Sequence, residues 1–509
     1  VGYNECNRRH IEDSETVCVC NATHCDQFPP LSRPKIGYIS VFESNRNGDR
    51  FKESALKFKP FYGNINCVKN HCLKKSAKDS QLTITVDKNR KYQKIYGFGG
   101  AFTDSAGYML SSVDPALAAA VIDSYYSATG IEFSFGRVPI GGTDYSLRPY
   151  TYADAYNDKQ LKYFSLQKED FEWKMPYIKR AQSVCPHTLK LIASNWCPPV
   201  WMKQIEQHIG YSELKGEIGG EYYQILANYI VKFLDAYKEN GITMWGLTTQ
   251  NEPAEDHQLN NMQMSPESLK RFIEINLGPT LAQAGYNKNK LKLMILDDNT
   301  VSLTNWTDTV LTDNSLLQYV SGIANHWYYN ERLGTKAVGA ILEYVRHKHP
   351  DYFVINTEAC VLDGPGNGKW SYAERYAIDI INQLNHWAVG WIEWNLALDV
   401  TGGPTWFERQ GCGGPVYIDP LKGEAYKQPS FYSLGHFSKF VSPDSVRIGH
   451  EIVNGAEGVH VLTAKRPDNG VVVVALNAGD TDIELNINNQ NNWVVNKLPS
   501  HSIQSYIWH

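Results

Sequence analysis

Between Lys94 and Asp399 the chain alternates short apolar runs with longer stretches of helical period. The runs are Ile95 to Phe102, Phe133 to Ile140, Leu189 to Trp196, Met244 to Gln250, Leu291 to Leu296, Gly322 to Trp327, Tyr352 to Thr357 and Val389 to Trp394. They are mostly apolar on both faces, as parallel strands covered by helices should be. The stretches between them carry helix starts: Asp114 and Ser265 are caps, each followed by a first-turn proline, Pro115 and Pro266. From Glu221 to Lys238 the residues Ile225, Leu226, Tyr229, Ile230, Phe233 and Leu234 form one apolar stripe. Strand and helix repeated through about 300 residues predict a closed (β/α)8 barrel.

Outside that span the period is two. Gly37 to Phe42 and Gln81 to Val86 alternate before the barrel, and Ile483 to Ile487 and Ser502 to Trp508 alternate after it. Val471 to Leu476 reads as a strand buried on both faces. Neither end has strands enough to bury a good core alone, so both are expected to build one smaller antiparallel β-domain beside the barrel. The expected division is 1–93 and 430–509 for that domain and 94–429 for the barrel, with strands resuming after Pro429. There is no repeat of solenoid length and no low-complexity tract.

Composition narrows the function. The 509 residues are 42% hydrophobic and 20% charged with a formal net charge of −5, and lysines and arginines form only short pairs. That excludes the basic footprint of a nucleic-acid binder. No apolar stretch approaches the roughly 18 residues a membrane-spanning helix needs, so membrane contact is expected to be peripheral. Six of the ten cysteines fall in the first 72 residues, four of them at Cys6, Cys18, Cys20 and Cys25. This spacing is awkward for a tetrahedral zinc site, and disulfides are the favoured reading over metal. A sequon, Asn21-Ala22-Thr23, lies inside the cluster, and a second is Asn305-Trp306-Thr307. Val1 opens the chain without a basic and apolar leader pattern, and the cysteines favour a secretory route with the leader removed.

Two runs end in a carboxylate: Leu247 to Gln250 leads through Asn251 to Glu252-Pro253, and Tyr352 to Thr357 leads to Glu358. In a barrel of this kind the site lies at the C-terminal ends of the strands. Strands four and seven face each other across the mouth, so two residues 106 positions apart converge there. A lone glutamate at a strand end is more often half of a salt bridge, but two closing buried runs in one barrel favour chemistry. Glycosidic cleavage needs such a pair, one protonated to serve the leaving oxygen and one ionised to meet charge at the anomeric carbon.

The ordered set of segments Cys18-Val19-Cys20-Asn21-Ala22-Thr23, Gly97-Phe98-Gly99-Gly100-Ala101, Asn251-Glu252-Pro253, His326-Trp327-Tyr328, Glu358-Ala359-Cys360, Trp394-Asn395-Leu396-Ala397-Leu398 and Gly435-His436-Phe437-Ser438-Lys439-Phe440 resembles the lysosomal glucosylceramidase family. These are acid β-glucosidases of the clan A retaining glycoside hydrolases, and the likeness runs from the N-terminal cysteines to Trp508. It implies Glu252 as acid/base and Glu358 as nucleophile, hydrolysis of glucosylceramide without cofactor or metal, and pairing of Cys6 with Cys18 and Cys20 with Cys25. It implies that Asn251 meets the sugar 2-hydroxyl and that Arg137 holds Glu358 ionised. Asp144 and Trp196 would contact the far hydroxyls and the ring face, Trp394 would be an apolar wall, and His326 with Tyr328 would line the site and orient Glu358.

The resemblance further implies a glycolipid substrate at a membrane surface, an anionic lipid and a saposin-type activator as partners, and a lysosomal location. Ala254 to Met264 departs from the family, being shorter and lacking aromatics on the aglycone side, and the loop holding Gln410 and Cys412 also differs. Each residue keeps an alternative role: a turn for Asp144, core packing for Trp196 and His326, a structural ion pair for Arg137. Gly97 to Gly100 lacks the full glycine spacing of a dinucleotide loop and reads as a tight backbone approach. Cys185 and Cys197 bracket a strand, which would hold them roughly 20 Å apart at about 3.3 Å per residue, too far for a bridge. Two other readings stay open: a β-glycosidase acting on soluble or steryl glucosides, and a non-catalytic carbohydrate receptor.

Overall fold

The structure is a computed structural model that describes residues 3–11, 15–60, 67–68, 71–72, 82–254, 259–407, 411–490 and 492–509. Residues 255–258 of the divergent stretch, Gln410, Gln81 and the side chains of Cys67 and Cys72 lie outside the described residues.

Eight parallel strands close a barrel: β1 (Gly97–Ala101), β2 (Phe135–Ile140), β3 (Lys190–Asn195), β4 (Gly246–Thr248), β5 (Lys292–Asn299), β6 (Val320–His326), β7 (Phe353–Glu358) and β8 (Ala388–Asn395). Each falls within or beside an expected run. Helices start where the caps place them: the Asp114 side chain accepts from the Ala116 amide at 2.8 Å and Ser265 from the Ser268 amide at 3.1 Å. Inside the barrel Phe135, Ile192, Met294, Ala324, Ile355 and Ile392 form one apolar plug. Gly99 makes the tight approach expected of its segment, since a Cβ there would stand 2.2 Å from the Phe135 carbonyl oxygen.

The chain ends meet in a ten-stranded sheet. Tyr38–Asn45, Lys52–Lys57, Lys59–Pro60 and Leu82–Lys94 come from the N-terminal side, and six strands between Val446 and Trp508 come from the other. Its two faces explain the all-buried run at Val471: Val471, Val473 and Ala475 enter the sheet's own core with Ile39, Val41 and Tyr506, while Val472, Val474 and Leu476 join the larger core shared with the barrel.

Two features depart from the expected division. Thr16–Cys20 pairs not with the C-terminal strands but with Glu424–Lys427, and Arg8–His10 pairs with Thr16–Cys20 at the edge, in a five-stranded sheet that also holds Leu398–Asp399 and Val416–Asp419. Cys6–Cys18 and Cys20–Cys25 disulfides pin that edge. Strands also do not resume directly after Pro429. A helix, Pro429–Ser438, comes first, buried along its whole length against Trp370–Asn385 and Ser502–Trp508. It has no exposed face and buries its serines and His436 with the rest, so no helical period is visible in its sequence.

Candidate active site

Arg137, on β2, is fully buried at the C-terminal end of the barrel and reaches four neighbours. Its Nε donates to Ser194 Oγ at 3.1 Å, its Nη2 to Asn251 Oδ1 and Asp297 Oδ2 at 2.8 Å each, and its Nη1 to Glu358 Oε2. Tyr328 Oη donates to the other Glu358 oxygen at 2.6 Å. Glu252 takes its place beyond β4 with a left-handed φ of 42°, its backbone amide donating to the Asp297 carbonyl at 2.9 Å.

Asp297, at the end of β5, is the hub. Its carboxylate accepts from Arg137, from Thr248 Oγ1 at 2.6 Å, from Thr357 Oγ1 at 2.6 Å and from His326 Nε2 at 2.9 Å, tying β2, β4, β6 and β7 to β5. Burial favours its neutral form, but the Arg137 and His326 charges outweigh that and hold it well below the usual carboxylate range. His326 spans from Asp297 to Glu252, with Nδ1 2.9 Å from Glu252 Oε1. Burial alone would depress its pKa; the Glu358 charge and the bonds to Asp297 and Glu252 raise it to about 10. The sequence reading has His326 and Tyr328 orient Glu358; the direct hydrogen bond from His326 goes to Glu252, and of the two Tyr328 is the one that bonds Glu358.

One carboxylate oxygen of Glu252, one of Glu358 and a ring nitrogen of His326 lie within 4.8 Å of one another. Such a trio has the composition of a metal site. Here both ring nitrogens of His326 are already engaged, one by Glu252 and one by Asp297. Burial and the Glu252 charge push the Glu358 carboxyl up, against the pull of the His326 and Arg137 charges. Beside them, burial and Glu252 push the buried Asp298 carboxyl up to about 7. Its Oδ2 accepts from the Ala254 amide at 2.9 Å, which fixes the turn after Glu252.

Trp196 and Trp394 stack on each other with centroids 5.2 Å apart and planes 11° off parallel, and the Arg137 guanidinium lies 4.6 Å from the Trp196 ring centre. Asp144 sits buried in the loop after β2, next to Tyr145, whose ring meets Trp394 edge-on at 6.2 Å. The fold therefore brings Arg137, Trp196, Asn251, Glu252, His326, Tyr328, Glu358 and Trp394 together, with Asp144 alongside. Asp297 and Asp298 escaped the sequence reading, although Leu291 to Leu296 followed by two aspartates carries the same mark as the two glutamates, an apolar run closed by a carboxylate. Cys185 and Cys197 are both free.

A (β/α)8 barrel with two buried glutamates facing each other at its C-terminal mouth defines a glycoside hydrolase. Comparison with known proteins agrees. The Glycosyl hydrolase family 30 TIM-barrel domain matches residues 95–441 and the Glycosyl hydrolase family 30 beta sandwich domain matches residues 444–506. The chain belongs to glycosyl hydrolase family 30. Lysosomal acid glucosylceramidase of Mus musculus is 35% identical over 100% of this chain and 96% of its own. Putative glucosylceramidase 3 of Caenorhabditis elegans is 36% identical over 99% of this chain and 95% of its own. Among solved structures, SrfJ from Salmonella typhimurium superposes with a TM-score of 0.83 at 24% identity, covering 93% of this chain and 99% of its own. An endo-β1,6-glucanase does so at 0.79 and 25%, with the same coverage.

Proposed function

We propose that this chain hydrolyses glucosylceramide to glucose and ceramide with retention of configuration, Glu358 acting as nucleophile and Glu252 as acid/base. The observation that carries this reading is the approach of the two carboxylates within 4.8 Å. That is nearer the roughly 5 to 5.5 Å of a covalent mechanism than the about 6.5 to 9.5 Å of an inverting pair, and it supports retention. In this mechanism Glu358 is ionised and Glu252 carries the proton, an assignment supported by the direct bonds from Arg137 and Tyr328 to Glu358.

Glu358 then attacks the anomeric carbon while Glu252 gives its proton to the departing oxygen. In the second half Glu252 takes a proton from the water that displaces Glu358. Asn251 has its Oδ1 engaged by Arg137 at 2.8 Å, which turns its amide nitrogen to the sugar 2-hydroxyl. Asp144, Trp196 and Trp394 hold the far side of the glucose.

The lipid aglycone is supported by the likeness over full length to the mouse and nematode proteins named as glucosylceramidases. A cavity of about 390 Å³ beside Tyr328 and Cys360, where Trp327, Val338, Leu362 and Ile378 share the wall with charged residues such as Glu331, Arg332, Asp363 and Arg375, offers a place for part of it. No helix of the described residues is long and apolar enough to cross a membrane; the likeness to the named glucosylceramidases supports meeting a glycolipid at a membrane surface, with anionic lipid and a saposin-type activator as partners. The two N-terminal disulfides and the Asn21 sequon fit passage through the secretory route to the lysosome. Asn21 Oδ1 accepts from Thr23 Oγ1 at 3.0 Å in an exposed turn, whereas Thr307 of the second sequon is buried on a helix, its hydroxyl donating to Leu303. Of the two, Asn21 is the better glycan acceptor.

Trapping with a mechanism-based cyclitol epoxide followed by peptide mapping tests the assignment. The label is expected on Glu358, and NMR of early product should show β-glucose first; a label elsewhere, or α-glucose first, overturns it. The likeness to an endo-β1,6-glucanase keeps soluble glucosides as the second reading. Rates on glucosylceramide, steryl glucoside and soluble β-glucosides with anionic lipid present separate the two.

A further inference from the structure

At the end of the barrel away from the carboxylates, the first residues of four strands surround a cavity of about 410 Å³. Lys292 opens β5, Ser321 lies at the start of β6, Phe353 opens β7 and Val389 lies at the start of β8. Three half-buried cations, Lys288, Lys292 and Arg346, line it, and among the lining residues Asp351 is the one acid beyond Lys94's partnered position. None of the three has a carboxylate within ion-pair distance among the described residues. Lys288 Nζ donates to the Leu317 carbonyl at 2.7 Å, Lys292 Nζ to the Lys288 carbonyl at 2.9 Å and Arg346 Nη1 to the Pro350 carbonyl at 2.5 Å.

Carbonyl partners carry no charge and Asp351 is one acid against three cations, so net positive charge remains, and the two lysines, four positions apart, repel. Burial, then the Lys292 charge, pushes the Lys288 ammonium down accordingly. The same cavity holds a second unanswered group: Ser321 is 7% exposed and its Oγ has no hydrogen-bond partner. A buried hydroxyl without a partner costs stability unless something fills the space beside it. Half of the remaining wall is aromatic, the rest being Gln93, Lys94, Pro350, Val354 and Val389. Tyr92 and Trp387 meet edge-on at 5.5 Å, Tyr96 and Phe353 at 5.3 Å, and the Arg346 guanidinium lies 4.8 Å from the Trp387 ring centre.

We propose that this cavity at the N-terminal end of the barrel binds a phosphate or sulfate monoester carried on a flat apolar body. The oxyanion meets Lys288, Lys292 and Arg346 and accepts from Ser321, while the apolar body lies against Trp387 and Phe353. Occupancy ties the starts of β5 to β8 together, so the ligand stabilises the fold without competing with substrate.

Isothermal titration calorimetry of the full chain at fixed ionic strength tests this with phenyl phosphate, phenyl sulfate, inorganic phosphate and phenol. Phenyl phosphate or phenyl sulfate is expected to bind once per chain with Kd below about 1 mM, a free energy of roughly −4 kcal/mol. Inorganic phosphate and phenol should each bind at least about tenfold more weakly. Binding should persist after covalent blocking of the active site and fall at least about tenfold in Lys292→Gln and in Arg346→Gln, with aryl β-glucosidase activity unchanged in both. No saturable binding of either ester, equal binding of inorganic phosphate, loss on active-site blocking, or persistence in both variants overturns the proposal.

Discussion

At the scale of single residues, Arg137 and Tyr328 both hold Glu358 but differ in what depends on them. Removing the guanidinium leaves Asp297 and Glu358 buried without their cation, so Arg137→Met should cost about 3 to 5 kcal/mol of stability in urea unfolding. It should also cut kcat/KM on an aryl β-glucoside by at least about a hundredfold. Tyr328→Phe removes one hydrogen bond to a charged acceptor and little packing. Its stability should stay within about 3 kcal/mol of the parent while kcat falls about tenfold or more. Equal losses in the two variants would show that Arg137 does no more than Tyr328. The sequence marked Glu252 and Glu358 because strand ends carry barrel chemistry, and Arg137 through the family resemblance. It did not reveal that His326 serves Glu252, because a ring with two nitrogens shows its partners only when the flanking strands are in place.

At the scale of elements, glycine spacing and caps were legible and the all-buried helix was not. Gly99 and Gly100 lie side by side on β1, yet a Cβ on Gly99 meets the Phe135 backbone at 2.2 Å whereas one on Gly100 meets the Leu396 side chain at 2.7 Å. Backbone cannot give as a leucine methyl can. Gly99→Ala should therefore lower Tm well below that of Gly100→Ala, with the first costing about 3 kcal/mol and the second nearer 1. Comparable melting of the two would remove the close β1–β2 approach as the reason for glycine. The barrel strands were visible because both faces are apolar over a short length. Pro429–Ser438 buries serines and a histidine among its apolar residues on every side, and such a mixed run shows no helical period.

At the scale of the whole molecule, the sheet from the two chain ends is fastened to the barrel through that helix. His436 on it bonds Ser505 Oγ at 2.8 Å and Ser44 Oγ at 2.9 Å, one strand from each end of the chain. Burial pushes its pKa down to about 3, so the folded ring stays neutral. Between about pH 6.5 and 3 the unfolded chain binds a proton that the folded chain does not, and stability falls as pH falls. For this one group the slope reaches at most about 1.4 kcal/mol per pH unit. His436→Gln should start less stable at neutral pH but lose stability less steeply on acidification, measured by urea unfolding at several pH values. A parallel decline in variant and parent would mean that other groups carry the acid sensitivity.

The sequence by itself determined the barrel, the participation of both chain ends in one sheet and the two strand-end glutamates, because each is written in local period or in position along a strand. Tertiary structure alone decided that Asp297 binds five strands together, that His326 carries its charge between two carboxylates, and that the cysteine-bearing strands join Glu424–Lys427. These depend on which residues meet across the closed barrel and in what dielectric, and no period along one chain encodes that.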